Sequence, residues 1–233
     1  PIPRGWVIPI LRNLQGHPEA PRLWHKHIDG ILIVKMGFAH TTHEPCLYFR
    51  HHETLGLILL LRQVDDFIIG AKTMELCLQI KQQIQDNMVN ELNELGVIKR
   101  SNGLDIQQTR HYVKISAQTY INKIVEHHGW QNEQTANLPL PMRNDSAYQA
   151  TLELSYGPDD VKEERELETQ MGFSYRQAIG ELIFAMTICR LDISPAVIKL
   201  SQYSQAPAKC HYQAVKAVFV YLCATANDGI YYW

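Results

Sequence analysis

Apolar positions along the chain set two rhythms. Between Pro21 and Lys35, Trp24, Ile28, Ile31 and Leu32 recur at helical spacing, with Pro18 and Pro21 where a first turn tolerates proline. The pattern predicts an amphipathic helix that Gly37 and Phe38 end. A short strand is expected over residues 46–50. Residues 57–61 form a continuous apolar run that predicts a buried strand by length and composition, and Phe67, Ile68 and Ile69 form a second run after five residues. The intervening Arg62, Gln63, Val64, Asp65 and Asp66 are too costly to bury within either run, so a hairpin with both acids at its tip is expected. Leu76, Ile80, Ile84 and Met88, four apart, predict a helix over residues 73–90 capped by Thr73 and packed on the hairpin's sheet. Residues 104–106 and 112–115 read as another hairpin, and residues 119–128 as a helix, which closes a first module near Trp130.

The rhythm then weakens. Residues 131–172 hold Pro139, Pro141, Pro158 and an acidic run from Asp159 to Glu166, with few aliphatics, and read as a polar linker. Helices return over residues 175–190, after Ser194 and Pro195, and after Ser204 and Pro207. The final residues, 229–233, read as the opening of a strand. The expected organisation is α+β: a sheet-and-helix module over 1–130 with hairpins at 57–70 and 103–116, a linker over 131–172, and a helical module over 173–233.

Composition narrows the classes. The 233 residues carry 22 Lys and Arg against 24 Asp and Glu, a formal charge of −2, which disfavours a protein acting only through a basic surface but allows a local basic face. Five cysteines, at 46, 77, 189, 210 and 223, lack any C-x-x-C pair, so a reducing compartment is expected rather than a disulfide framework or cysteine-rich zinc module. No apolar run approaches the ~20 residues of a membrane helix, and no leader pattern opens the chain. A non-secreted location is expected, and both termini read as cut ends of something longer.

Asp65 and Asp66 are the leading candidates for chemistry. Adjacent carboxylates at a turn repel unless solvent or a cation offsets them, and a hard divalent cation takes such oxygen ligands. A solvated turn is the plain alternative for any Asp-Asp pair, but two flanking strands would hold this one rigidly. The 11 histidines include His40, His43 and Cys46 at three-residue spacing, which matches no standard zinc pattern, and His25 and His27 point to different helix faces. Gly16 turns into the helix that carries Arg22 and Trp24. Arg22 near a helix start could meet a phosphate, whereas Trp24 reads as core. No serine-hydrolase elbow, Walker loop or dinucleotide fingerprint is present.

In this order the segments resemble the reverse transcriptase of copia-type long-terminal-repeat retrotransposons. The family's Leu-Tyr-Gly-Leu-Lys-Gln-Ala-Pro-Arg-x-Trp segment is similar to residues 14–24, and its Tyr-Val-Asp-Asp box to Gln63, Val64, Asp65 and Asp66. Its Leu-Gly-Ile-Glu-Val strand is similar to residues 102–106, and its Leu-Ser-Gln-x-x-Tyr-Ile to residues 115–121. Its Tyr-Arg-x-x-x-Gly-x-Leu and Arg-Pro-Asp-Ile pieces are similar to residues 175–182 and 190–193. Six boxes in the right order carry the resemblance nearly end to end.

The resemblance implies part of a fingers and palm, ending near Trp130, then the linker and a helical thumb or connection region. It implies Mg²⁺, with Mn²⁺ as the alternative, at Asp65 and Asp66, serving attack of a primer 3′-hydroxyl on a deoxynucleotide's α-phosphate. Gln63 and Val64 would line the primer end, Gly16 and Arg22 the nucleotide side, and Arg110 and Lys114 the nucleic-acid backbone, while thumb helices grip the duplex. Partners would be an RNA or DNA template with its primer, deoxynucleotides, and the neighbouring polyprotein parts. The location would be a cytoplasmic virus-like particle or the nucleus. The family's other essential aspartate would precede Pro1, and its ribonuclease H domain would follow Trp233, so this chain alone is expected to be a poor or inactive polymerase. Gln63 stands for the usual tyrosine, Pro18 and Glu19 for a Lys-Gln pair, and Leu191 for a proline. The competing expectations are a non-catalytic or co-opted module that binds an RNA–DNA duplex, and a decayed fragment that does not fold.

Overall fold

The computed structural model describes residues 16–133 and 145–233. It divides into two compact units, residues 1–96 and 97–233. Leu14 and Gln15, and Pro139 and Pro141 of the expected linker, lie outside the described residues.

In the first unit, helix α1 (Ala20–Asp29) runs directly into a π-helical turn (Gly30–Lys35), closed by the Met36 N–H on the Ile31 carbonyl at 3.1 Å. Gly37, with φ +71, turns the chain out of it. A four-stranded antiparallel sheet follows in sequential order: β1 (Ala39–His40), β2 (Leu47–His52), β3 (Gly56–Gln63) and β4 (Asp66–Gly70). Helix α2 (Met74–Gln85) starts where expected, with Thr73 Oγ1 accepting the Leu76 N–H at 3.3 Å. Ile28, Ile31, Leu32, Tyr48, Ile58, Leu60, Leu76, Ile80 and Ile84 form one core.

Strand β3 departs from expectation in two ways. It is buried on one face only: Leu57, Leu59 and Leu61 are 46, 39 and 36% exposed while Ile58 and Leu60 are fully buried, so the continuous apolar run conceals an alternating strand. It also extends through Arg62 and Gln63, which pair with Phe67 and Asp66. The hairpin tip is thus two residues rather than five. Arg62 sits inside because its guanidinium finds partners there.

The second unit contains β5 (Arg100–Ser101), β6 (Leu104–Gln108), β7 (Val113–Ser116) and β8 (Gly229–Tyr232) as an antiparallel sheet in that order. Its helices are α3 (Gln118–His127), α4 (Ser146–Leu154), α5 (Val161–Met171), α6 (Tyr175–Ile188), α7 (Ser194–Ser201) and α8 (Lys209–Ala224). Two expectations are corrected. Residues 97–130 belong to this unit and not to the first, because Ala117, Ile121, Ile124, Val125 and Trp130 share a core with Leu182, Val215 and Phe219. Residues 145–171 are not a linker: Asp145 and Asp160 cap α4 and α5, accepting the Tyr148 and Lys162 N–H groups at 3.0 and 3.2 Å, and Leu152 is buried in that core.

The later helix starts also shift. Ser194 is the first residue of α7 rather than its cap, after a 3₁₀ turn at Leu191–Ile193, and α8 starts five residues beyond Ser204. His211 replaces the expected serine cap, its Nδ1 accepting the Ala208 N–H at 2.9 Å while Nε2 donates to the Leu152 carbonyl at 2.8 Å.

Burial holds the His211 imidazole below its ordinary pKa of 6.5, against a smaller opposing effect of the Leu152 bond. As pH falls through 6.5 the unfolded chain takes up a proton that the folded chain resists, so His211 adds stability above that pH and loses it below. Thermal unfolding at about pH 7 and about pH 5 is expected to show a drop in midpoint that His211→Gln flattens. Equal drops in both proteins would sink this assignment.

Candidate active site

Strands β3 and β4 are joined by Val64 and Asp65, with Gln63 opposite Asp66. Gln63, Val64, Asp65 and Asp66 are all exposed, so the acids face solvent on a two-strand support. Cross-strand partners share a face, which places Gln63 and Asp66 on the side that carries Leu57, Leu59, Leu61 and Ile68. Val64 has φ +53, a left-handed conformation that a β-branched residue rarely adopts. The Trp24 indole N–H donates to the Val64 carbonyl at 2.8 Å. Trp24 therefore does more than pack: it joins α1 to the turn.

Beneath the turn lies a polar network that the sequence did not reveal. Arg62 is 5% exposed and donates to His25 Nδ1 and, at 3.3 Å, to Cys46 Sγ. Because Arg62 can only donate, His25 accepts at Nδ1 and carries its proton on Nε2, 3.2 Å from Asp29 Oδ2. The Tyr48 hydroxyl donates to Asp29 Oδ1 at 2.7 Å, and burial followed by that carboxylate pushes its pKa up to about 12. His40 Nε2 stands 3.6 Å from Asp29 Oδ2. Arg62 Nε and His40 Nδ1 are buried without a partner among the described residues.

The remaining candidates are dispersed. Gly16, with φ +89, precedes α1 as an exposed turn residue. Arg22 is exposed, but Glu19 holds it: Nε donates to Glu19 Oε2 at 2.7 Å. Arg110 is exposed in the β6–β7 turn of the second unit. Lys114 corrects its expected role on a nucleic-acid backbone. It is 5% exposed, its Nζ donates to Asn227 Oδ1 at 2.7 Å, and it lies 5.5 Å from the Tyr231 ring centroid, so its amine is committed internally. His40, His43 and Cys46 form no ligand set. Among the described residues no group of three or more His, Cys, Asp or Glu is arranged to hold a metal ion.

Asp65 and Asp66 fit a cation that needs few protein ligands. Mg²⁺ is commonly held by one or two carboxylates, retained waters and substrate phosphates rather than by a complete protein cage.

Residues 5–142 match the family described as reverse transcriptase (RNA-dependent DNA polymerase). The chain is 28% identical over 224 residues to the retrovirus-related Pol polyprotein from transposon TNT 1-94 of Nicotiana tabacum, covering 95% of this chain and 16% of that protein. It is 26% identical over 228 residues to a transposon Ty5-1 protein of Saccharomyces cerevisiae, covering 97% and 68%. To the retrovirus-related Pol polyprotein from transposon RE1 of Arabidopsis thaliana it is 25% identical over 234 residues, covering 97% and 14%. The chain thus spans a small part of the two polyproteins. No solved structure matches it significantly. No helix among the described residues is long and apolar enough to cross a membrane.

Proposed function

This chain belongs to the reverse transcriptase (RNA-dependent DNA polymerase) family, and we propose that it is the polyprotein segment that supplies the acidic turn of the polymerase site. The supporting observation is the β3–β4 hairpin, which presents Asp65 in its two-residue turn and Asp66 at the start of β4, both exposed to solvent.

In this reading the first unit is part of the palm and fingers, and the second is the thumb and connection. Asp65 and Asp66 hold Mg²⁺, or Mn²⁺ in its place. When bound, the ion offsets charge on the nucleotide phosphates and favours the ionised primer hydroxyl. Gln63 and the Val64 backbone flank the primer end. Gly16 gives the chain a close approach beside the nucleotide, and Arg22 offers a cation there once it leaves Glu19. Arg110 meets the nucleic-acid backbone. The hairpin's contribution is placement: two carboxylates on paired strands need little reorganisation when substrate arrives. By the family resemblance a further carboxylate of the site comes from another part of the polyprotein, so this chain alone is expected to incorporate nucleotides slowly or not at all.

RNA-templated primer extension tests the reading. The segment joined to its upstream polyprotein sequence is expected to extend a primer in Mg²⁺ or Mn²⁺ and to stop on chelation. Duplex binding that is indifferent to metal, with no extension under any condition, would favour the binding-module alternative.

A further inference from the structure

One helix grips the acidic hairpin at two points. Trp24 donates its indole N–H to the Val64 carbonyl at 2.8 Å, and the adjacent His25 accepts from Arg62, two residues before Val64. A third tie comes from the residue before β2, where the Cys46 carbonyl accepts the Arg62 N–H at 2.9 Å and its sulfur accepts from the guanidinium.

The turn between these ties is not one its own residues favour. Two-residue hairpin turns place Asn, Asp or Gly where φ is positive, because those residues tolerate it; here valine holds φ +53. Such a conformation persists where the surroundings over-determine it, and it clusters at functional turns. The surroundings that over-determine Val64 are the Trp24 bond to its carbonyl and the anchored Arg62 two residues before it.

We propose that Trp24, with Arg62 anchored by His25, is a positioning residue for the acidic turn, fixing the Val64 backbone so that Asp65 and Asp66 are presented in one arrangement before substrate binds. This rests on the polymerase reading of the turn. Trp24 touches no reacting atom; it acts through the backbone of the residue that precedes the acids.

The decisive variant removes the donor and keeps the ring. Benzothienylalanine carries sulfur in place of the indole N–H and is nearly isosteric; Trp24→Phe is a second, coarser variant. In the intact chain, amide hydrogen exchange from Gln63 to Phe67 is expected to quicken roughly five- to tenfold, the factor appropriate to one lost hydrogen bond, while exchange in α2 stays unchanged. In the polyprotein-length polymerase, kcat is expected to fall about tenfold with KM for deoxynucleotide within about twofold, because placement and not binding is impaired.

Unchanged exchange at the turn in the benzothienylalanine protein overturns the proposal. So does quickened exchange with normal kcat in an enzyme that Asp65→Asn abolishes, a result that leaves the polymerase reading standing. Full incorporation by Asp65→Asn overturns that reading, and the positioning role falls with it.

Discussion

Asp65→Asn is expected to lower templated nucleotide incorporation by the polyprotein-length enzyme about a thousandfold or more. The substitution keeps shape and hydrogen-bonding capacity but removes the charge on which a divalent ion depends, and several kcal/mol of transition-state stabilisation corresponds to about three decades in rate. Asp65 is exposed within a two-residue turn, and no packing depends on its charge, so unfolding stability should not change by more than the ~0.5 kcal/mol typical of surface substitutions. Asp66 lies one step inside the ladder, opposite Gln63, so Asp66→Asn should reduce the rate less. The measurement is single-nucleotide incorporation at saturating Mg²⁺ beside a melting curve. A large rate loss with an unchanged melt supports the assignment, whereas retained activity would remove Asp65 from the site.

Asp192→Ala should markedly destabilise the second unit. Arg190 is 1% exposed, and its Nε and Nη2 donate to the two Asp192 carboxylate oxygens at 2.9 and 2.7 Å. The Thr225 carbonyl and hydroxyl accept from it at 2.9 and 2.6 Å, and the Tyr221 hydroxyl donates to Asp192 at 2.8 Å. Truncation leaves a buried guanidinium without its counter-charge, an event that costs about 3–5 kcal/mol in a dry interior. The Asp192 side chain is 41% exposed, and water can partly replace it, so about 2–3 kcal/mol is the expected loss. That corresponds to a midpoint lower by about 8 °C.

Burial alone would raise the Asp192 pKa. The hydrogen bonds from Arg190 and Tyr221, with the Arg190 charge, outweigh it and hold the carboxyl below its usual 3.8. The stabilisation is therefore fully present above pH 3.8 and disappears as pH falls through the lower folded value. The penalty of Asp192→Ala should shrink in the same acidic range. A penalty that persists undiminished there would mean that lost packing, not lost charge, was measured.

This ion pair belongs to a segment that the sequence presented as one of six family boxes, and its role illustrates what was legible. The motif flagged Arg190 and Asp192, but not that they face each other inside the protein. Local patterns served well for the β3–β4 hairpin, α2 and α3, because their signals lie within a few residues: Thr73 before α2, or two apolar runs flanking an acidic pair. They failed where burial depends on distant partners. Arg62 looked like a tip residue because a charge carries no sign of burial, and its partners are 37 and 16 residues away. The segment containing α4 and α5 looked like a linker because α5 buries nothing fully and α4 buries Leu152 alone. Asp145 and Asp160 were readable as caps, and weighing them against the poor apolar content would have recovered both helices. The resemblance supplied the acidic turn's meaning; the network of His25, Asp29, Tyr48 and Arg62 had no local signature.

Strand β8 pairs with β7 across more than a hundred residues, Ser116 with Gly229 and Val113 with Tyr232. In the first unit each strand pairs with its neighbour in sequence. During synthesis the two units therefore run on different clocks. The first can zip up as it leaves the ribosome, while β7 must wait, one edge unsatisfied, for the chain to reach residue 229. During that interval the free edge of β7 is open to mispairing.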